Sequence, residues 1–422
     1  MTHRRRRRRI LSSALTFGLV AAGVAAMPAA AQARPLTRGH QAQVASAWGD
    51  NEYGNLGDGT LMQRLAAVGV GSLTNVSQVA AGQVHSLAVT SDGSVWSWGR
   101  NTFGQLGTGA AGLSKSPQLV SGISGTITHV AAGWTHSLAL GSDGTVWAWG
   151  DNRDGELGDG NTIQSDTPVR IPGLSDVTQI AAGSGWSLAL RSDGTVWAWG
   201  DNQYNELGAQ VPDANHNSDV PVQVAGLSGI TQIAAGAEFG MAVQTTVKLG
   251  FLRHSLLTWG QETWGQVGNG QLMDPESPGG VINPYQVTGI PAPAAIAAGT
   301  DSAMMVGTDG SVWSWGQDLY GNLGVGSGDG ILYSPTQTLN PGSGIIQLAA
   351  GYEYVLGLRS DGTVVAWGYN SSGQLGDGTT TTSVIPVQVP GLSGVSQVSA
   401  GVDYSLAVHT IGYILRSMSR QA

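Results

Sequence analysis

The chain has 422 residues, of which 65 are Gly, 14 are Trp and none is Cys; only 11% are charged, and 28 acidic side chains against 19 cationic ones give a net charge of −9. The missing thiols exclude disulfides, thiol catalysis and Cys-ligated metals, and glycine without a G-x-y period excludes collagen. What remains is a β-rich protein with many tight turns.

From the N-terminus, residues 1–33 read as a cleaved secretory signal. Arg4–Arg9 form a six-Arg run, an apolar Ala-rich stretch follows from Ile10 to about Ala26, and Ala31-Gln32-Ala33 offers an A-x-A cleavage site. The consecutive arginines also resemble a twin-arginine signal. Cleavage removes six cationic residues and no acidic one, which takes the net charge from −9 to −15. So acidic a chain repels phosphate backbones, and nucleic acid is not an expected partner. No later run reaches the roughly 18 apolar residues of a membrane span. The mature chain is therefore expected outside the cytoplasm, free of the membrane, as a monomer. Residues 34–43 read as a linker.

Residues 44–410 hold seven repeats. Trp-Gly recurs at Trp48, Trp98, Trp149, Trp199, Trp259, Trp315 and Trp367, in steps of 50, 51, 50, 60, 56 and 52 residues. Each pair leads into a turn such as Gly104-Gln105-Leu106-Gly107. A Pro-bearing segment such as Pro386-Val387-Gln388-Val389 follows. Ala-Ala-Gly comes next, then an apolar run, and a Ser-Asp-Gly turn leads back to Trp-Gly. Four short apolar runs per unit, split by turn residues, predict four strands, and Asp-Gly between two of them predicts a hairpin. Repetition of such a unit predicts an all-β, seven-bladed β-propeller with four antiparallel strands per blade.

The ends predict closure. Ala45–Gly49 is a third strand with nothing before it, and the last repeat, at Ser399–Val408, lacks its Trp-Gly strand. Residues near 44–48 and 66–70 are expected to complete the last blade and so remove exposed edges. The tail from 409 departs from the repeat. It is expected either to compete with 44–48 or to fray, and residues 411–422 read as irregular.

The Ala-Ala-Gly, Ser-Asp-Gly, Trp-Gly and Gly-Gln-Leu-Gly elements resemble the repeats of the regulator of chromosome condensation family, over about residues 44–410. The resemblance implies a seven-bladed propeller closed by mixed termini. It does not fix function; the family's eukaryotic founder is a nuclear guanine-nucleotide exchange factor that also touches chromatin. A more distant similarity links the chain to propeller-type β-lactamase inhibitory proteins.

No catalytic set stands out. There is no G-x-S-x-G, H-E-x-x-H or P-loop, and Gly324–Gly328 opens no helix, so it reads as loop. His85 and His136 share one repeat position, which other repeats fill with Trp186, Phe239, Ser302, Tyr354 and Tyr404; they read as structural histidines rather than an acid–base pair. Asp92, Asp143, Asp193, Asp309 and Asp361 read as turn-stabilising carboxylates. Asp151, Asp154 and Asp159 match no calcium-loop register. No cofactor or metal is expected.

Aromatic side chains are the stronger lead. The loop after Ala-Ala-Gly carries Trp134, Trp186, Phe239, Tyr352, Tyr354 and Tyr404, candidate anchors for a protein partner; Trp134 and Tyr352 sit where the repeat varies most. Tyr53, Phe103, Tyr204, Trp264 and Tyr320 follow Trp-Gly and read rather as inter-blade packing. In the fourth repeat, Gly236 to Trp259 spans 23 residues where other complete units span 16. The insertion brings Lys248, Arg253 and His254, a basic loop for an acidic partner. The segments 209–219 and 271–283 are also long, which marks this side as a candidate interaction edge. These features favour an exported, non-enzymatic scaffold that binds an extracellular or cell-surface protein. The alternatives are an inhibitor of a secreted hydrolase such as a β-lactamase, a guanine-nucleotide exchange factor, and a polysaccharide-active enzyme.

Overall fold

The structure, a computed structural model, describes residues 41–209, 217–271, 280–328 and 330–412. The signal, the start of the linker and the tail from 413 lie outside the described residues, as do 210–216 and 272–279 of the two lengthened segments. Among the described residues all regular structure is strand, arranged as seven sheets of four antiparallel strands. In the first blade the strands Val76–Ala81, His85–Thr90, Val95–Gly99 and Ser114–Leu119 run in that order from the axis outward. The innermost strand of each blade contacts that of the next, and Val395–Ala400 of the seventh contacts Val76–Ala81 of the first. The ring is closed.

Closure follows the expected route. The seventh sheet holds Val395–Ala400, Tyr404–Gly412, Gln41–Gly49 and Arg64–Thr74, in that order. Gln41–Gly49 pairs with Tyr404–Gly412 along its whole length, from Gln41 opposite Gly412 to Gly49 opposite Tyr404. Residues 409–412 therefore do not compete with 44–48. They extend the strand and pair with 41–44, because the N-terminal strand is long enough to satisfy them.

The repeat elements lock neighbouring blades together. All seven Trp of the Trp-Gly pairs are buried. Each indole N–H donates to a backbone carbonyl in the Gly-Gln-Leu-Gly turn of the preceding blade, for instance Trp149 to Gln105 at 2.9 Å and Trp48 to Gln374 at 2.8 Å. The last glycine of that turn is required. At Gly107, φ is +66° and a Cβ would stand 2.7 Å from the Trp149 ring. Nearer the axis, Gln78, Gln179, Gln347 and Gln397 each donate to a carbonyl of the next blade and accept from the N–H of the same residue.

The Ser-Asp-Gly turns bear out the structural reading of their carboxylates. Asp92, Asp143, Asp193, Asp309 and Asp361 each accept from the N–H and, in four of the five, the hydroxyl of the residue two positions on; Asp92 takes its hydroxyl bond from Thr90. Those bonds, the hydroxyl first, hold the carboxyls below the usual range.

The chain path separates two faces. The Ala-Ala-Gly loops and the Trp-Gly turns open on one, here called the loop face. The Ser-Asp-Gly turns open on the other, the turn face. The fourth blade breaks the turn face: Phe239–Lys248 and Phe251–Gly260 form a hairpin of ten-residue strands in place of the usual five or six. Leu249 and Gly250 turn it with φ of +54° and +80°, the primed geometry that suits the strand twist. The long segments behind 210–216 and 272–279 lead into Ser218, opposite Gly200, and Val281, opposite Gly260, at the loop-face ends of their strands. The expected single irregular edge is therefore two features on opposite faces.

Candidate functional site: the acidic mouth of the loop face

Seven Ala-Gly steps line an axial cavity of about 150 Å³. Only glycine fits there, since a Cβ on Gly133 would meet the His136 ring at 2.3 Å. In six of the seven blades the residue after the glycine rims the cavity: Gln83, Trp134, Ala237, Thr300, Tyr352 and Val402. Backbone bonds from one blade to the next fix this rim, among them Ser184 N–H to the Ala237 carbonyl at 3.0 Å. Its side chains are free to vary because its backbone carries the structure.

The next position holds Val84, Thr135 and Gly185 in three blades but Glu238, Asp301, Glu353 and Asp403 in the four that follow. In every blade its carbonyl accepts the N–H of the residue after Trp-Gly, as from Asp201 N–H to Gly185 and from Asp50 N–H to Asp403. That bond brings Asp50 and Asp201 beside the same mouth. Carboxylates from successive blades thus converge. Among the described residues none of these six makes an ion pair. Gln374 donates to Asp403 at 3.0 Å.

Burial without a counter-ion sets their electrostatics. Burial, then the charge of Asp301, pushes Glu238 up to about 7. Burial and Asp403 push Glu353 to about 7, and burial alone pushes Asp301 to about 6. Asp50, Asp201 and Asp403 are raised in the same way, by burial first. Glu206 lies deepest. Its Oε2 accepts the Tyr204 N–H at 2.8 Å, while Oε1 has no hydrogen-bond partner, and burial followed by Asp201 raises it well above the carboxylate range. Glu206 and Glu156, the latter pushed to about 7 by burial, stand where other repeats use the neutral amides Gln105, Gln266, Asn322 and Gln374.

The aromatic candidates divide. Tyr352 is exposed and Trp134 half-buried, both at the mouth. Trp264 and Tyr320 are exposed on the same face, and Tyr320 tilts against Tyr369 at 4.6 Å. Trp186, Phe239, Tyr354 and Tyr404 are fully buried, which corrects their reading as surface anchors. They open the second strand of their blades and point between blades. There the Trp186 N–H donates to the Ala237 carbonyl, the Tyr354 hydroxyl to the Tyr404 carbonyl, and the Tyr404 hydroxyl to the His85 carbonyl. His85 and His136 fill the same position, each with Nε2 at 2.9 Å from a serine hydroxyl of the next blade, and burial keeps them neutral, at about 3 and about 4. They are structural, bonding serine side chains of the neighbouring blade. Lys248, Arg253 and His254 lie on the turn face and take no part in the mouth.

The arrangement offers negative charge and flat aromatic surface. Among the described residues no group of three His, Cys, Asp or Glu could hold a metal ion. Asp151 is engaged by Arg153 at 2.6 Å, and Asp154 by Asn217 at 2.9 Å.

Family comparisons agree with the architecture. A model of the RCC1-like domain matches residues 43–292, and models of the regulator of chromosome condensation (RCC1) repeat match 309–358, 361–408 and 345–374. The chain is 34% identical over 336 residues to the ultraviolet-B receptor UVR8 of Arabidopsis thaliana, covering 78% of this chain and 74% of that one. It is 31% identical over 376 residues to the E3 ubiquitin-protein ligase HERC2 of Mus musculus, but that match spans only 8% of the ligase. Among solved structures, Prp20p of Saccharomyces cerevisiae, described with its binding to Gsp1p and histones, superposes with a TM-score of 0.77 at 24% identity, covering 90% of this chain and 93% of that one. Human WBSCR16 superposes at 0.73 and 22% identity, covering 88% and 100%. With the repeats, the closed ring and these matches together, the chain belongs to the regulator of chromosome condensation (RCC1) repeat family.

Proposed function

We propose that this protein is an exported, non-enzymatic propeller that binds a protein partner on its loop face, with the acidic mouth receiving a basic segment of that partner. The observation that carries this reading is the run of unpaired carboxylates on four successive blades, Glu238, Asp301, Glu353 and Asp403. A rigid ring holds them beside exposed Tyr352. Preplaced negative charge favours a lysine- or arginine-bearing strand, and an aromatic rim adds cation–π contact worth about 0.5–1 kcal/mol at exposed sites. The fixed backbone of the rim lowers the ordering cost of association. Export rests on the six-Arg run, the apolar stretch and the A-x-A site of residues 1–33.

The test is titration with an arginine-rich peptide, alongside capture from secreted and cell-surface proteins. Wild type should bind both. Neutralising three carboxylates together (Glu238→Gln, Asp301→Asn, Glu353→Gln) should weaken the peptide at least tenfold at pH 8. Equal binding by the variant overturns the reading. Recovery of the chain only from the cytoplasm overturns the export part alone.

A further inference from the structure

The hairpin of the fourth blade carries chemistry that the loop-face site does not use. Its tip is Val247-Lys248-Leu249-Gly250-Phe251-Leu252, and the four large apolar side chains there are 71%, 91%, 69% and 63% exposed in chain order. A soluble surface rarely gathers such side chains without a purpose. Val247 lies opposite Leu252 and Lys248 opposite Phe251. Strand alternation therefore sends apolar groups out of both faces of the ribbon, with Leu249 at its end. Lys248 and Arg253 flank them, both exposed and, among the described residues, without an ion pair. Residues 244–256 contain no acidic side chain.

The tip also stands clear of the acidic turns around it. The extra residue pairs beyond those of other blades lift it by on the order of 12 Å, at about 3.4 Å per residue. That is roughly one screening length at physiological salt. Asp92, Asp143, Asp193, Asp309 and Asp361, in the turns of the other blades on this face, therefore do little to cancel its positive charge. The opposite, acidic mouth faces away.

We propose that this tip inserts into an anionic bilayer surface. Val247, Leu249, Phe251 and Leu252 enter the boundary between headgroups and acyl chains, and Lys248 and Arg253 rest on anionic headgroups. A bilayer suits the geometry better than a protein partner. A narrow ribbon that is apolar on both faces has no single face to dock. A fluid surface surrounds a protrusion from every direction. Such peripheral insertion needs no membrane-spanning run, so it accords with the lack of one after residue 33.

The absence of cysteine allows a clean probe. In the full chain, Leu249→Cys carrying an environment-sensitive fluorophore is mixed with vesicles of phosphatidylcholine, with or without phosphatidylglycerol. The same label on Ser142→Cys, in a short turn of the same face, is the control. Position 249 should blue-shift and brighten several-fold with anionic vesicles only, and position 142 should not respond. Co-sedimentation should fall at least tenfold for Leu249→Ser with Phe251→Ser, and several-fold for Lys248→Glu with Arg253→Glu. All variants carry the same arginine-rich leader, so the differences read the tip. The proposal is overturned by a silent label at 249, by equal responses at both positions, or by unchanged sedimentation of the tip variants. A label that responds to polyglutamate but not to vesicles also overturns it, in favour of an acidic protein. The mouth substitutions Glu238→Gln and Glu353→Gln leave the tip untouched, so this test fails or succeeds independently of the loop-face reading.

Discussion

The two faces of the ring acquire their character by different means. On the loop face, the Ala-Ala-Gly loops are pinned by backbone hydrogen bonds between blades, and the individuality of the mouth comes from substitution at positions whose side chains carry no structural duty. On the turn face, five hairpin turns stay short, the seventh blade has none because the two ends of the chain meet there, and individuality comes from one insertion. A closed ring tolerates both, because each change sits on backbone that is already hydrogen-bonded within or between blades. The difference teaches where sequence change is costly: in the buried locks beneath the loop face, not in the side chains above them or in the hairpin.

Four measurements would break or sharpen that contrast. The largest effect belongs to the locks. Trp149→Ala removes a fully buried indole and leaves the Gln105 carbonyl with only its bond from the Ser137 hydroxyl, so chemical denaturation should show a loss of about 3–5 kcal/mol. A loss below about 1 kcal/mol would show that the loop face is not held by these bonds.

Next comes the pH dependence of the mouth. Glu238, Glu353 and Asp301 have folded values of about 7, 7 and 6, raised above their unfolded values near 4. Between pH 8 and pH 6.5 the native state gains protons that the unfolded chain does not, so the melting temperature should rise as pH falls through that window. Below about 6.5 the effect is opposed, because His85 and His136 stay neutral in the fold but take up protons when unfolded. A melting temperature that falls from pH 8 to 6.5 would contradict the unpaired state of the carboxylates.

A smaller effect follows from relieving the mouth at one site. Glu206→Gln supplies the amide that other repeats use and removes a buried carboxyl with an orphan oxygen. It should raise stability at pH 8 by about 1 kcal/mol, within the range for satisfying a buried polar group, and flatten the pH profile. The smallest effect belongs to the turn face. Replacing residues 245–254 by a Ser-Asp-Gly turn of the neighbouring kind should change stability by no more than about 0.5 kcal/mol, as is usual for surface changes. A larger loss would place the hairpin in the fold's core economy rather than outside it.

Most of the architecture was legible because repetition multiplies a weak local signal seven times. Trp-Gly spacing placed the blades, and the incomplete first and last repeats placed the closure. Register was harder to read. Trp186, Phe239, Tyr354 and Tyr404 follow a variable loop and looked like anchors, but each is the first residue of a strand and turns inward. One repeat position earlier lie Glu238, Asp301, Glu353 and Asp403, 50 to 63 residues apart in the chain. They were missed because each alone is an ordinary loop acid; only reading that position down all seven repeats reveals the run. At the hairpin, the charges Lys248, Arg253 and His254 drew notice, whereas Val247, Leu249, Phe251 and Leu252 resembled the buried runs of any strand until the hairpin's length placed them beyond the ring.

The seam in the seventh blade bears on when folding can finish. Gln41–Gly49 leaves the ribosome early, yet its partner Tyr404–Gly412 is made only after the other blades. Throughout synthesis the first strand has a bare edge, and six blades wait as an open arc whose contacts of greatest sequence separation are still missing. Closing such distant contacts is slow. The chain therefore stays unsealed for as long as it is being made, a state in which a nascent protein can still be held, delivered or threaded before it becomes a ring.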